Sequence, residues 1–450
     1  MKIQEASCLV VCAIVGPLCL WGDVERKSVG SEADIQRFID SSKGGDIVIP
    51  AGRYEISETI TLPSHTHLKL AGCYLRMKDG VYARMFMSIG TEDVSVDGGG
   101  TAVLDGGEPN GLNEDTSQKG DFPHISNNLT FCFVGARDIS IRNLEIRDHR
   151  WWAMMFAFCE KGHISKIHFR LTRHRIDQGK RLRNQDGIDL RKGCSDFDIE
   201  DISGETGDDV VAMTALGDAW LQELYDAGTR SRDIHHIRVR RINAVSAGCS
   251  LVRLLSHYGQ RIHDIDICDV VESGGPGETS LAQSAIRIGD RVPPYYRWKE
   301  ENAQRFGDVS DIFIENVRTR ACAAIHTDDG VRNLAVRNVT VDRDGGSAWI
   351  VGGYTMIPMP FLYLPELETL ASHQTFIRGY PSCWHIRRRD TIRLENVRME
   401  NITVTSTPHF DEAVFRFSDA EFIGCTVNGV RAEGHRMFEV SNCKNMPDVR

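Results

Sequence analysis

Hydrophobic and polar residues alternate with a period of two in short segments that recur along the 450-residue chain. Each segment reads apolar, any, apolar, any, Asn or Asp, apolar, and β-branched residues are frequent in it. These features are typical of β-strands that bury one face. The segments are ISIRNL from Ile139, FDIEDI from Phe197, IDICDV from Ile265, IFIENV from Ile312, LAVRNV from Leu334 and IRLENV from Ile392, and IRVRRI from Ile237 departs from the pattern only at its fifth position.

The spacing of these segments indicates a solenoid. Leu334 follows Ile312 by 22 residues, and Ile265 follows Ile237 by 28. Repeats in the low twenties with one strand and an Asn or Asp turn are typical of stacked coils, whereas propeller blades repeat at about 40–50 residues with several strands. The interval of 47 from Ile265 to Ile312 is either two coils or one coil with an inserted loop. We therefore predict an all-β fold, a single-stranded right-handed parallel β-helix, as one domain over residues 23–450.

A helix is predicted at the start of this solenoid. Ser31 and Asp34 form a capping-box pattern, and the apolar residues that follow would lie on one helical face. Such a helix would cover the open end of the first coil and protect its unpaired edge. The alternative is an unrelated small α/β start. The apolar residues are Ile35, Phe38 and Ile39.

The composition of the chain indicates where the protein is located and which kinds of partner it binds. Residues 1–22 contain the apolar stretch CLVVCAIVGPLCLWG, which favours a signal peptide and hence a secreted or periplasmic protein; a mis-assigned start is the alternative. A net charge of −10 disfavours nucleic acid or an anionic membrane as the main partner. The 13 cysteines form no CxxC pair and no zinc-type spacing, so we interpret them as small buried hydrophobic residues and expect no metal.

Two acidic segments stand one predicted coil apart. NQDG begins at Asn184 and TGDD at Thr206, so that Asp208 follows Asp186 by 22 residues. Equivalent residues of stacked coils lie about 4.8 Å apart, and residues two apart on a strand face the same side. We therefore expect Asp186 and Asp208 to be neighbours on one lateral face, with Asn184 on the same side.

Neighbouring carboxylates of this kind suit acid–base chemistry. Their mutual repulsion raises the pKa of one group, which leaves a protonated acid beside an ionised base at neutral pH. Inverting glycoside hydrolysis uses such a pair, with carboxyl groups about 6.5–9.5 Å apart. A single Asp in a β-helix turn is more often structural. Three acids in two matched turns, Asp186, Asp208 and Asp209, favour a functional site.

The motifs resemble those of glycoside hydrolase family 28, the polygalacturonases and their relatives in the pectate-lyase-like β-helix superfamily. The family carries Asn-Thr-Asp, Gly-Asp-Asp, Gly-His-Gly and Arg-Ile-Lys in this order. This chain has NQDGID, TGDDVVAM, AGCSLVRL from Ala247 and SAIRIGD from Ser284. LEIRDHRWWAM from Leu144 is similar to the coil that carries a tryptophan before the active site. The resemblance covers most of residues 30–345.

The resemblance implies roles for individual residues. Asp208 would be the general acid, and Asp186 and Asp209 would hold and deprotonate the nucleophilic water. Arg287 matches the arginine of Arg-Ile-Lys, which in the family contacts the carboxylate of the substrate. The chain departs from the family where Cys249 replaces the histidine and where glycine, at position 289, replaces the lysine.

Three further residues are candidates for substrate binding. Asn184 accompanies the first acidic motif. Arg253 follows the altered third motif and would restore part of the lost positive charge, since a guanidinium clamps a carboxylate through two donors. Trp151 would stack on a sugar ring. Strand alternation would let only one of Trp151 and Trp152 face outward.

These observations predict an inverting glycoside hydrolase that acts on a polysaccharide or oligosaccharide, with uronic acids expected in the substrate. No metal or organic cofactor is expected. One alternative is a β-helix polysaccharide lyase, which would use calcium and an arginine or lysine base. The other is a non-catalytic glycan-binding β-helix, which the loss of the histidine at Cys249 suggests. The sugar, its linkage and the oligomeric state are not predicted.

Overall fold

Parallel β-strands stacked coil upon coil form most of this structure, a computed structural model. The fold is a right-handed parallel β-helix, as predicted. Residues 1–22, where the signal peptide is expected, lie outside the described residues. The structure describes residues 29–42, 44–113, 116–117, 122–172, 176–177, 180–181, 184–216, 219–257, 259–272, 280, 282–289, 304–343, 346–352, 357–358, 376–380, 383–386, 391–405 and 413–450.

One sheet, the short-strand sheet, has twelve strands, and each strand pairs in parallel with the strand of the next coil. Its central strands are buried on both faces, so that side chains on the outward face are also removed from water. Its strands are Ile60–Thr61, Phe86–Ile89, Phe131–Val134, Met154–Ala157, Ile188–Arg191, Val211–Ala215, Ser250–Ser256, Ser284–Ile288, Ala323–Thr327, Ser347–Val351, Ala413–Ser418 and Arg436–Ser441.

The other large sheet, the long-strand sheet, has seventeen strands with one buried and one exposed face. The repeated sequence segments lie in it, which confirms the interpretation of their period-two alternation. Its strands are Gly30–Ser31, Gly45–Val48, Gly52–Ile56, Thr66–Lys69, Cys73–Met77, Glu92–Asp105, Arg137–Arg147, Glu160–Arg170, Ser195–Thr206, Ile234–Ser246, Ile262–Glu272, Val309–Thr319, Val331–Val341, Ile392–Val404, Ala420–Ile423, Thr426–Arg431 and Asp448–Val449.

The remaining elements are short. An antiparallel hairpin and a three-stranded antiparallel sheet stand apart from the two large sheets. No helix within the described ranges is long and apolar enough to cross a membrane. Among the described residues the helices include Glu32–Ser41, Ala219–Leu224 and the 3-10 helix Ile125–Asn128, and the short strands outside the large sheets include Ile176–Asp177, Lys180–Arg181, Ile357–Pro358, Phe376–Tyr380 and Cys383–Ile386.

The polar residue of the repeated segment bends the long strands. Asn316 and Asn338 have φ values of 58° and 55°, in the left-handed region that Asn tolerates better than most residues. Their amides also join the coils. Asn338 Nδ2 donates to Asn316 Oδ1 at 3.0 Å, and Asn316 Nδ2 donates to Asp269 Oδ1 at 2.8 Å. The repeat therefore marks both a bend and a ladder of side-chain hydrogen bonds.

The predicted coil spacings are confirmed. Ile312 pairs with Leu334, and Ile237 pairs with Ile265. Ile265 also pairs directly with Ile312. The interval of 47 residues is therefore one coil that carries an insertion, and the two-coil alternative is wrong.

The predicted N-terminal helix is present with its capping box. Ser31 N donates to Asp34 Oδ2 at 2.8 Å. Ile35 and Ile39 are buried against the first coil. Phe38 is 42% exposed, so its expected place on the buried face is wrong. The helix rests on the coil through two residues four positions apart, and Phe38 falls at the edge of that contact.

Candidate active site

The two acidic segments lie on neighbouring coils, each just before a strand of the short-strand sheet. Ile188 pairs with Val211, and the register of these strands separates equivalent residues by 23 positions. Asp186 is therefore the equivalent of Asp209, and Asp208 stands one position earlier. The expected equivalence of Asp186 and Asp208 is wrong by one residue, because this coil is one residue longer than the 22-residue coils elsewhere.

Asp208 is half-buried and held through its backbone. Thr206 Oγ1 and Ser246 Oγ both donate to the Asp208 carbonyl, at 2.8 and 2.9 Å. Asn184 N donates to Asp208 Oδ2 at 3.2 Å. Asn184 has a φ of 54° and lies in the turn before the strand, not on it. The expected strand alternation of Asn184 with Asp186 is therefore wrong, although Asn184 does contact the acid.

Asp209 is buried and receives donors on both oxygens. Ser250 N donates to Oδ1 at 2.9 Å, and Arg253 Nη1 donates to Oδ2 at 3.0 Å. The same Nη1 donates to Cys249 Sγ at 3.3 Å. One oxygen each of Asp208 and Asp209 and the Cys249 sulfur lie within 4.8 Å of one another. The structure thus places Arg253 among the predicted acids.

Burial and mutual repulsion raise the pKa values of two carboxyl groups of this site, those of Asp186 and Asp209. Burial raises the pKa of Asp186 well above its ordinary value. The carboxylates of Asp189, Asp208 and Asp209 raise this pKa further, and Arg253 opposes them. Burial also raises the pKa of Asp209, against the opposing charge of Arg253. Asp186 and Asp209 therefore retain protons to higher pH than exposed aspartates do.

Three residues of the site were not predicted from the sequence. Asp189 is buried three positions after Asp186, and its signal was the second aspartate of NQDGID. His149 Nε2 donates to the Gln185 carbonyl at 3.0 Å, and Gln185 Nε2 donates to the His149 carbonyl at 2.6 Å. Burial lowers the pKa of His149 to about 4, so its ring is neutral at pH 7. This pair fixes the turn that carries Asp186.

A buried polar chain leads from the third motif to the fourth. Gln283 Nε2 donates to the Gly248 carbonyl at 2.9 Å, and Gln283 Oε1 accepts from Arg287 Nη1 at 2.8 Å. Arg287 Nε and Nη2 lie 2.9 and 2.8 Å from Asp328 Oδ2. His326 Nε2 lies 3.0 Å from Asp328 Oδ1. These contacts join three neighbouring coils.

Arg287 is buried and binds other side chains of the protein. It is 2% exposed, and its backbone pairs with Arg253 on one side and His326 on the other. Burial by itself raises the pKa of Asp328, but the charges of His326 and Arg287 lower it well below its ordinary value. The expected presentation of Arg287 to a substrate carboxylate is not what the structure shows, because its Nε donates to Asp328 and its Nη1 donates to Gln283.

Trp151 faces the protein interior. It is 3% exposed, and its ring stacks on Trp152 with centroids 3.8 Å apart. Both indoles belong to an apolar cluster with Met155 and Leu221. The expectation that one of them faces outward to bind sugar is wrong, because the strand begins only at Met154 and its alternation does not extend to the pair.

Comparisons with known proteins bear on the fold. No family model matches the chain, and no curated protein matches it. Its structure is similar to that of endo-xylogalacturonan hydrolase from Aspergillus tubingensis, with a TM-score of 0.52, 13% identity, and coverage of 92% of this chain and 95% of that one. It is also similar to polygalacturonase from Erwinia carotovora ssp. carotovora, with a TM-score of 0.51, 12% identity and 94% coverage of both chains. At these identities the likeness shows the fold alone.

Proposed function

We propose that the protein is a glycoside hydrolase that cleaves a polysaccharide or oligosaccharide with inversion at the anomeric carbon. One observation carries this proposal: Asp186, Asp208 and Asp209 gather on adjacent coils, two of them buried with raised pKa values and one half-buried. Such a set divides into a proton donor and a proton acceptor. The two similar hydrolases of the same fold, which act on glycans by their names, support it.

Asp208 is the proposed general acid. It is the most accessible of the three carboxyl groups, so a glycosidic oxygen can reach it. The Asn184 amide is bound to Oδ2, which leaves Oδ1 to carry the proton that passes to the leaving oxygen. The bonds from Thr206 and Ser246 to its carbonyl fix the backbone from which this side chain projects.

Asp186 and Asp209 are the proposed pair that holds the nucleophilic water. Arg253 and the Ser250 amide orient the Asp209 carboxylate. Asp186 Oδ1 is buried without a hydrogen-bond partner among the described residues, so it is able to accept a proton from that water. The base form needs an ionised Asp186, whose raised pKa makes it a stronger base than an exposed aspartate.

The family histidine is replaced by a neutral thiol and a nearby arginine. Burial raises the pKa of the Cys249 thiol well above its ordinary value, and Asp209 raises it further. The thiol therefore stays protonated at neutral pH. The positive charge beside Asp209 comes from Arg253, which contacts both groups. This substitution supports retained catalysis rather than loss of the site.

The first experiment measures reducing-sugar release by the wild type and by Asp208→Asn on pectic, rhamnogalacturonan and neutral glycans. We expect wild-type release that EDTA does not reduce and that occurs without the ultraviolet absorbance of an unsaturated product. Asp208→Asn should lose about 10²–10⁴-fold in kcat with little change in KM, since proton donation belongs to the transition state. Asp342→Asn, on the exposed face, is the matched control.

Each alternative predicts a different result. An unsaturated product that disappears with EDTA would identify a lyase. No release from any glycan would contradict hydrolysis and favour a non-catalytic glycan-binding protein. Near-wild-type turnover by correctly folded Asp208→Asn would refute the role of Asp208 while leaving hydrolysis in place.

A further inference from the structure

One outward row of the short-strand sheet runs from Asp189 through Ala212 to two arginines, each with a carboxylate partner. Arg253 pairs in register with Arg287 on the next coil. Arg253 binds Asp209 and Arg287 binds Asp328. The side chains of Arg253 and Arg287 are 13% and 2% exposed. The charge of each arginine is therefore balanced inside the protein.

A second acidic residue lies close to Gly289, two residues after Arg287 and just after the end of its strand. Gly289 has a φ of 86°, and a Cβ added to it would lie 2.7 Å from Asp329 Oδ2. A lysine at this position would therefore have to displace Asp329, which is 1% exposed. Where the Arg-Ile-Lys pattern has a cation, this fold places a carboxylate.

We infer that the saccharide subsite along this row binds a sugar without a carboxylate, and that Asp328 sets this specificity by occupying Arg287. The inference rests on the proposed function and names the substrate class of the same site. A uronate would need a cation to pair with it, and both arginines of this row already pair with carboxylates of the protein. A second carboxylate would compete with Asp328 for Arg287 and would be disfavoured, whereas a neutral sugar needs no cation.

The first test compares matched glycans that differ only in the carboxyl group. Polygalacturonan and other hexuronans are each assayed beside their carboxyl-reduced forms, together with neutral glycans. If a pair is cleaved, we expect kcat/KM to be at least about tenfold higher on its carboxyl-reduced member, which is the effect of losing one charged pairing. Cleavage of the neutral glycans alone would agree with the inference as well. Equal or faster cleavage of the acidic member overturns the inference and leaves glycoside hydrolysis intact. No cleavage of any glycan contradicts the proposed function itself.

The second test releases Arg287 from its partner. Asp328→Asn should raise the ratio of acidic to neutral turnover by about tenfold, because the charge of Arg287 is then no longer balanced by Asp328 and can pair with a uronate. The matched control is Glu439→Gln, since Glu439 Oε2 lies 3.0 Å from Nε of Arg416 in the same outward row. An unchanged ratio in folded Asp328→Asn overturns the inference. The comparison of glycan pairs uses the wild type, so it decides the question if this variant does not fold.

Discussion

Replacing Arg253 by glutamine tests the electrostatics of the acid cluster. The change removes the cation 3.0 Å from Asp209 Oδ2 and leaves a buried carboxylate without it. At an effective dielectric constant of about 20, this attraction amounts to roughly 5.5 kcal/mol. Removing one partner of a buried pair typically costs about 3–5 kcal/mol, because the other charge remains desolvated. We expect Arg253→Gln to lower the free energy of unfolding at pH 7 by about that amount.

Arg253→Gln should also change the pH dependence of activity and of stability, each in a defined direction. Arg253 lowers the pKa of both Asp186 and Asp209, so its loss raises both. The proposed base works when ionised, and the acidic limb of kcat/KM should therefore move to higher pH. A carboxyl group whose folded pKa lies above its unfolded value loses stability as the pH rises through that range. The stability deficit of Arg253→Gln should accordingly shrink as the pH falls toward about 4.

Urea unfolding at several pH values and a pH–rate profile measure these two effects. Arg337→Gln is the matched control, because Arg337 Nε lies 3.2 Å from Glu400 Oε2 with side chains 50% and 41% exposed. Exposed pairs of this kind contribute under about 1 kcal/mol. Equal losses in the two variants, or an acidic limb that does not move in Arg253→Gln, would refute this account of the cluster.

Two further predictions concern the acids and the coil ladder. Asp186→Asn should abolish hydrolysis. It should also raise the free energy of unfolding at neutral pH by about 1–3 kcal/mol, because it removes a desolvated charge beside other carboxylates. A loss of stability in urea titrations at pH 7 would argue against this. Asn338→Ala should cost about 1–3 kcal/mol through left-handed strain and lost ladder bonds, and Asn338→Gly less, since glycine removes only the bonds; equal losses would show that strain contributes nothing.

The coils were predictable from the sequence. The register in which one coil pairs with the next was predictable for some coils and not for others. The segment from Ile392 carries Asn396 at its polar position, yet Asn396 bonds to Asn333 and not to Asn338. Asn338 accepts instead from Asn401. The bends form two columns five residues apart, and asparagine suits both, so the residue type alone does not decide which column a segment joins.

The same limit applies to the candidate active site: sequence spacing predicts which segments are neighbours but not which side chains contact each other. One-coil spacing brought Asp186 and Asp209 together, but one extra residue in that coil decided which acids are equivalent. The partner of Arg287 is Asp328, 41 residues away, and no local pattern connects them. Trp151 was misplaced because alternation holds only within a strand. Contacts between coils depend on loop lengths and side-chain packing, which periodicity does not specify.

The stereochemistry of the first product distinguishes an inverting hydrolase from a retaining one in a single experiment. Proton NMR of a glycan during its cleavage reveals the anomer formed before mutarotation. The account predicts inversion, because Asp186 and Asp209 hold water on the face of the sugar opposite the acid Asp208. Retention of configuration would require a covalent intermediate on one of these carboxylates and would contradict the proposed mechanism.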